Sequence, residues 1–165
     1  MDFLDVQKLA DANRSASRLA SSRVAELWES LDGLDEDMLR DVLDELFPRL
    51  VEEQAQLAAS ATLEWYEDAR AAAGIKEAYS PEMPAELIDY SRTSKVVEEA
   101  VSAIAQRGRL AAVGILQRRA KQLVSSAARE TGLHAARHDP AKPLYARVPA
   151  GATTCAWCLM WAGRG

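Results

Sequence analysis

Residues 2–31 carry apolar side chains at three- and four-residue steps, and neither a glycine nor a proline interrupts them. Phe3, Val6, Leu9, Ala16, Leu19, Ala20, Val24, Leu27, Trp28 and Leu31 recur on one side of a helix of that period. Asp2 suits the N-cap and Gly33 the stop. Such a helix is about 45 Å long at ~1.5 Å per residue. That length suits an elongated bundle, or an arm packed on another subunit.

The same period continues downstream. Met38, Leu39, Val42, Leu43 and Leu46 extend it until Pro48, which predicts a kink or a fresh helix start because proline lacks the amide hydrogen. A second long helix then runs from Pro48 to Ala73, and Gly74 ends it. Gly74, Pro81 and Pro84 punctuate residues 74–93, which read as an excursion between two helical layers. Ser94 is the expected N-cap of the next helix, with Val96, Val97, Ala100, Val101 and Ile104 behind it. Arg107-Gly108-Arg109 forms a corner, and a further helix runs from Leu110 to Gly132. Gly114 inside it costs about 1 kcal/mol against alanine, which predicts a close helix contact there.

Beyond Gly132, Pro140, Pro143, Pro149 and Gly151 deny a long helix. Leu144–Val148 alternates as a short strand would, and Thr153 or Thr154 caps a short helix that Gly163 closes. The expected fold is therefore mainly α: an elongated bundle of long amphipathic helices, then a small irregular C-terminal segment with a short strand and a C-x-x-C helix. Residues 1–80 read as an acidic helical arm or hairpin, 81–131 as a second helical layer, and 132–165 as the start of a small module. The closing Gly163-Arg164-Gly165 reads as a place where a longer product continues.

Charge divides the chain. The net charge is −5, yet residues 1–80 carry 8 basic and 18 acidic side chains (net −10), while 81–165 carry 12 and 7 (net +5). Nine basic residues fall in 107–147 against Glu130 and Asp139. This polarity suggests an acidic face for one partner and a basic face for another, a neighbouring copy included; solvated helix faces on an unevenly charged chain are the plain alternative. The basic stretch suits weak, salt-sensitive contact with DNA, but it lacks aromatic interleaving and any DNA-binding module. No apolar run approaches the roughly 20 residues that span a bilayer, and Met1–Asp5 lacks the basic and apolar regions of a secretory signal.

Cys155 and Cys158 form a C-x-x-C at an expected helix N-terminus, where unpaired amides lower a thiol pKa. Two thiolates at this spacing chelate zinc, given about two further ligands. His134 and His138 are four residues apart and would supply them; residues of a longer chain are the other source. A redox dithiol needs a preceding parallel strand in a βαβ unit, and the helical pattern upstream offers none. Two small buried thiols beside two exposed histidines are the plain alternative. No G-x-S-x-G, P-loop or H-E-x-x-H occurs, and Glu52-Glu53, Glu98-Glu99 and Asp35-Glu36-Asp37 lie at solvent-face spacing. No catalytic residue is assigned, and no enzymatic activity is expected. Trp157 and Trp161, four apart, are core anchors or an interface patch.

The run Ala146-Arg147-Val148-Pro149-Ala150-Gly151-Ala152-Thr153-Thr154-Cys155-Ala156-Trp157-Cys158-Leu159-Met160-Trp161-Ala162-Gly163-Arg164-Gly165 resembles the R-V-P-x-G-x-x-T-C-x-F/W-C-x-M-x-A-x-R-G block of MuF-like minor head proteins. These are head morphogenesis proteins, often called capsid maturation proteases, of phages of actinobacteria. The Arg129-Glu130-Thr131 and Arg137-His138-Asp139-Pro140 stretches fit the same layout. The resemblance implies a multicopy virion structural protein inside the head near the portal vertex, present in the host cytoplasm during assembly. Its implied partners are the portal protein and the major capsid protein, with non-specific contact to packaged DNA. In that family a later H-x-x-C-x-C element completes a zinc site with the residues matching Cys155 and Cys158; no such element occurs in these 165 residues. A capsid maturation protease or a dithiol oxidoreductase is the alternative reading.

Overall fold

The computed structural model describes residues 3–142, and among them every regular element is a helix. There are four: α1 Phe3–Ser30, α2 Glu36–Ala72, α3 Tyr90–Arg107 and α4 Arg109–His138. The expected strand at 144–148, the C-x-x-C helix and Trp157 and Trp161 lie outside the described residues.

The first long helix ends at Ser30, and Gly33 takes the left-handed conformation (φ 84°) in the turn that follows. Asp35 caps α2, its carboxylate accepting from the Met38 amide at 2.9 Å. Glu36 and Asp37 follow in the first turn, where the helix dipole favours negative charge. Pro48 neither ends nor restarts this helix, contrary to one expectation from sequence: α2 runs through it for 37 residues. Leu39, Leu43, Phe47 and Val51 form a buried row on both sides of Pro48. Burying that row on one continuous axis offsets the roughly 3 kcal/mol that an interior proline costs.

At its far end α2 closes with a left-handed glycine (Gly74, φ 70°). The Ile75 amide reaches back to the Arg70 carbonyl and the Gly74 amide to that of Ala71, which satisfies two orphan carbonyls. The cap of α3 is Asp89, not Ser94: its carboxylate accepts from the Ser91 amide at 2.9 Å, and Ser94 sits inside the helix. Hydrogen bonds from Ser91, the hydroxyl first, hold the Asp89 carboxyl below its usual range. Gly108 (φ 81°) is the single residue between α3 and α4, forming the sharp corner its neighbours predict.

Helix α4 does not stop at Gly132 but continues to His138. Nor does Gly114 mark a close contact, since an added Cβ there meets nothing within 4 Å. The close approach is at Gly132, where a Cβ would stand 3.3 Å from Thr62 Cγ2. Thr62 is held in place by donating to the Ala58 carbonyl. Gly132 is therefore a packing residue, and the hydrophobic face of α4 carries the helix past it.

Cross-helix hydrogen bonds give the directions. Arg109 meets the Leu31 carbonyl, Gln117 the Ser21 carbonyl and Ser125 the Ser17 hydroxyl, so α1 and α4 are antiparallel. Gly132 opposite Thr62, and Asp139 bonded to Tyr66 and Arg70, make α2 and α4 parallel. Glu99 paired with Arg119 extends the antiparallel α3–α4 hairpin. Helix α4 packs on all three others and α2 likewise, whereas α1 and α3 do not touch. The cross-section is thus a rhombus with α2 and α4 on the short diagonal. All four helices, with Ile88 from the excursion, share one apolar core.

Gly114→Ala should raise stability by about 0.5–1 kcal/mol through backbone entropy, read as a higher midpoint in thermal unfolding. Gly132→Leu should lower it. The opposite order would move the close contact to Gly114.

Candidate functional site at the end of the fourth helix

The last turns of α4 carry both histidines singled out in the sequence. His134 and His138 share one helix side with ring centroids 4.2 Å apart. The His138 Nδ1 lies 2.9 Å from the His134 carbonyl, which can only accept, so Nδ1 is the donor. No group of three or more His, Cys, Asp or Glu side chains that could hold a metal ion occurs among the described residues. The structure brings the two histidines together, and Cys155 and Cys158 lie outside the described residues.

What the helix end does contain is a buried polar knot that sequence patterning did not reveal. Asp139 caps α4 with its side chain fully buried, and the Arg70 side chain is 7% exposed. Arg70 donates through Nη1 to Asp139 Oδ2 at 2.7 Å and through Nη2 to the Glu77 carbonyl at 2.6 Å. The Tyr66 hydroxyl donates to the same Asp139 oxygen at 2.9 Å, and the Ala141 amide donates to the other at 2.9 Å. Tyr79 completes the group: its hydroxyl donates to the Ala135 carbonyl, its ring packs edge-on to Tyr66, and the Arg70 guanidinium lies over it at 5.2 Å.

Each element contributes for a local reason. Ala58, Thr62, Tyr66 and Arg70 follow at four-residue steps and so ride one buried ridge of α2. The Gly74 turn directs the excursion back along α4, which brings Glu77 and Tyr79 over that ridge. The electrostatic consequence is legible at Tyr66: burial first, then its bond to the Asp139 carboxylate, push the hydroxyl well above its ordinary value. Burial and the same carboxylate raise Tyr79 too. The knot ties α2, the excursion and the end of α4 together. The four-residue spacing that carries Arg70 into an apolar ridge is the signal that could have identified it.

The basic stretch of the sequence also finds a definite place. Arg118, Arg119, Lys121, Arg129 and Arg137 are exposed on α4. Arg14 and Arg18 of α1 flank Lys121 across one groove, and Arg92 and Lys95 of α3 flank Arg119 across another. Trp28 is buried under the Arg109 guanidinium, and Trp65 is half-buried.

Two outcomes follow from the knot. Asp139→Asn leaves Arg70 buried without its counter-charge and should cost about 3–5 kcal/mol, measured as a fall in the urea midpoint; an unmoved midpoint would mean that the pair holds nothing. The raised Tyr66 hydroxyl also sets a pH dependence. Above about pH 10 the unfolded tyrosine releases its proton while the folded one keeps it, so the unfolded state binds fewer protons and stability falls as pH rises. That contribution is complete below pH 10, and Tyr66→Phe should flatten the alkaline loss in unfolding curves taken from pH 8 to 11.

A family model described as VG15 protein matches residues 2–165. No curated protein and no solved structure matches the chain.

Proposed function

We propose that this protein, which belongs to the VG15 protein family of phage gene products, is a structural or assembly component of the virion. In finer terms it is a minor capsid protein of MuF-like type, associated with the portal vertex or inner head, and it acts through helix-mediated contacts with the portal or major capsid protein. Family membership across 2–165 carries the phage assignment. The resemblance of residues 146–165 to the MuF-like block supports the finer one.

The geometry supports a role in holding and presenting. One core joins all four helices, and the Arg70–Asp139 pair ties the end of α4 to α2. No helix among the described residues is long and apolar enough to cross a membrane. No enzymatic step belongs to this role. Zinc on Cys155 and Cys158 would serve as a structural clamp beyond the bundle, with His134 and His138 or residues of a longer chain as further ligands. One observation favours a second reading, a DNA-contacting packaging accessory: the exposed basic row on α4.

Quantitative mass spectrometry of purified virions, counting this protein against the portal, tests the proposal. A fixed ratio near one per portal subunit, or a simple fraction of it, is expected. Many more copies would move the protein to the shell, and absence from particles would remove the mature-virion role.

A further inference from the structure

The two charged helices sit back to back. Helix α2 carries ten acidic and three basic residues, net −7, and α4 carries six basic and one acidic, net +5. Because α2 and α4 lie on the short diagonal and α1 and α3 do not touch, the outer faces of α2 and α4 look in opposite directions. Each face is left largely unneutralised by its own fold. Arg118, Lys121, Arg129 and Arg137 are exposed and make no ion pair among the described residues, and the same holds for Glu53, Glu64, Glu67 and Asp68.

The two rows also match in spacing. Arg118 and Arg129 are eleven residues apart, and so are Glu53 and Glu64. Eleven residues are three turns of helix and about 16 Å, with the two side chains within about 20° of one direction. A straight helix laid along another therefore sets both carboxylates against both guanidinium groups at once.

We propose that this chain binds a second copy of itself head to tail, with the acidic outer face of α2 of one copy against the basic outer face of α4 of the next. A copy fits better than a nucleic acid because both complementary surfaces are present in one molecule, whereas DNA would occupy α4 and leave the α2 row unmatched. Since the two faces differ and point apart, the contact is heterologous: every copy offers one of each, and repetition gives a ring or a filament. The inference stands on the charge geometry and does not require the virion role.

Sedimentation and light scattering of the full chain decide it. In about 20 mM salt the weight-average mass should reach at least twice the 18.0 kDa monomer, and it should return to monomer in about 500 mM salt, where exposed charges are screened. Arg118→Glu with Arg129→Glu should give monomers, and so should Glu53→Lys with Glu64→Lys; circular dichroism checks that both stay helical. An equimolar mixture of the two variants should associate again, because each retains the face the other lacks. Monomeric wild type at low salt overturns the proposal, as does self-association that ignores both variants or a mixture that stays monomeric. Low-salt binding of random-sequence duplex DNA that only the α4 variant loses, by a protein that stays monomeric, would assign the basic face to nucleic acid instead.

Discussion

Close approach of α2 and α4 is the constraint on which the rest of the molecule depends. Ala55, Ala58, Ala59 and Thr62 on α2, and Ala112, Ala120, Ala127, Ala128 and Ala135 on α4, are buried small residues. Small side chains let helix axes draw together, and at Gly132 the gap to Thr62 leaves no room for even a methyl group in ordinary contact. Once these two helices form the short diagonal, α1 and α3 must lie in the two side grooves, out of contact with each other. The larger side chains, Phe47, Leu39, Leu43 and Leu116, then fill the space the alanines leave.

That arrangement also settles where charge goes. An amphipathic helix in a bundle has one outward face, and the outward faces of α2 and α4 are the ones most strongly charged. Charges that cannot face outward are handled differently. Arg70 rides the buried ridge of α2, and taking its guanidinium out of water is tolerable only because Asp139, the Glu77 carbonyl and the Tyr79 ring all meet it. The same carboxylate accepts from Tyr66 and from the Ala141 backbone, so its lone pairs are occupied as well. A fully satisfied knot of this kind locks the end of α4 in one position, which suits a protein whose most distinctive residues follow directly after it.

The helical character of the chain was legible because apolar residues recur at three- and four-residue steps over long stretches, and the corner at Gly108 because glycine alone enters the left-handed region cheaply. The errors share one cause. Pro48, Gly132 and Ser94 each act as local signals to stop or start a helix, and in each case neighbours decided otherwise. The buried row around Phe47 carries α2 through a proline. Packing on Thr62 turns a presumed stop at Gly132 into an interhelical contact. Asp89 takes the cap from Ser94 because Ile88 before it and Thr93 after it are both buried, which anchors the helix start earlier. At the candidate site, the pairing of His134 with His138 followed from their spacing, and a four-residue step likewise joins Tyr66 to Arg70 on α2, whereas Tyr79 and Asp139 come from two other segments and no local pattern connects them to that pair.

Sequence alone determined that the chain is built of long amphipathic helices, where the unequal charge lies along it, and that the 146–165 block is its most distinctive part. Those properties are local, set by periodicity and by the conformational limits of glycine and proline. Only tertiary structure decided which helices touch, that the acidic and basic rows point in opposite directions, and that a buried arginine and aspartate 69 positions apart would meet. Such outcomes depend on how closely two helix axes can approach, and that distance is fixed by the sizes of side chains on both partners together.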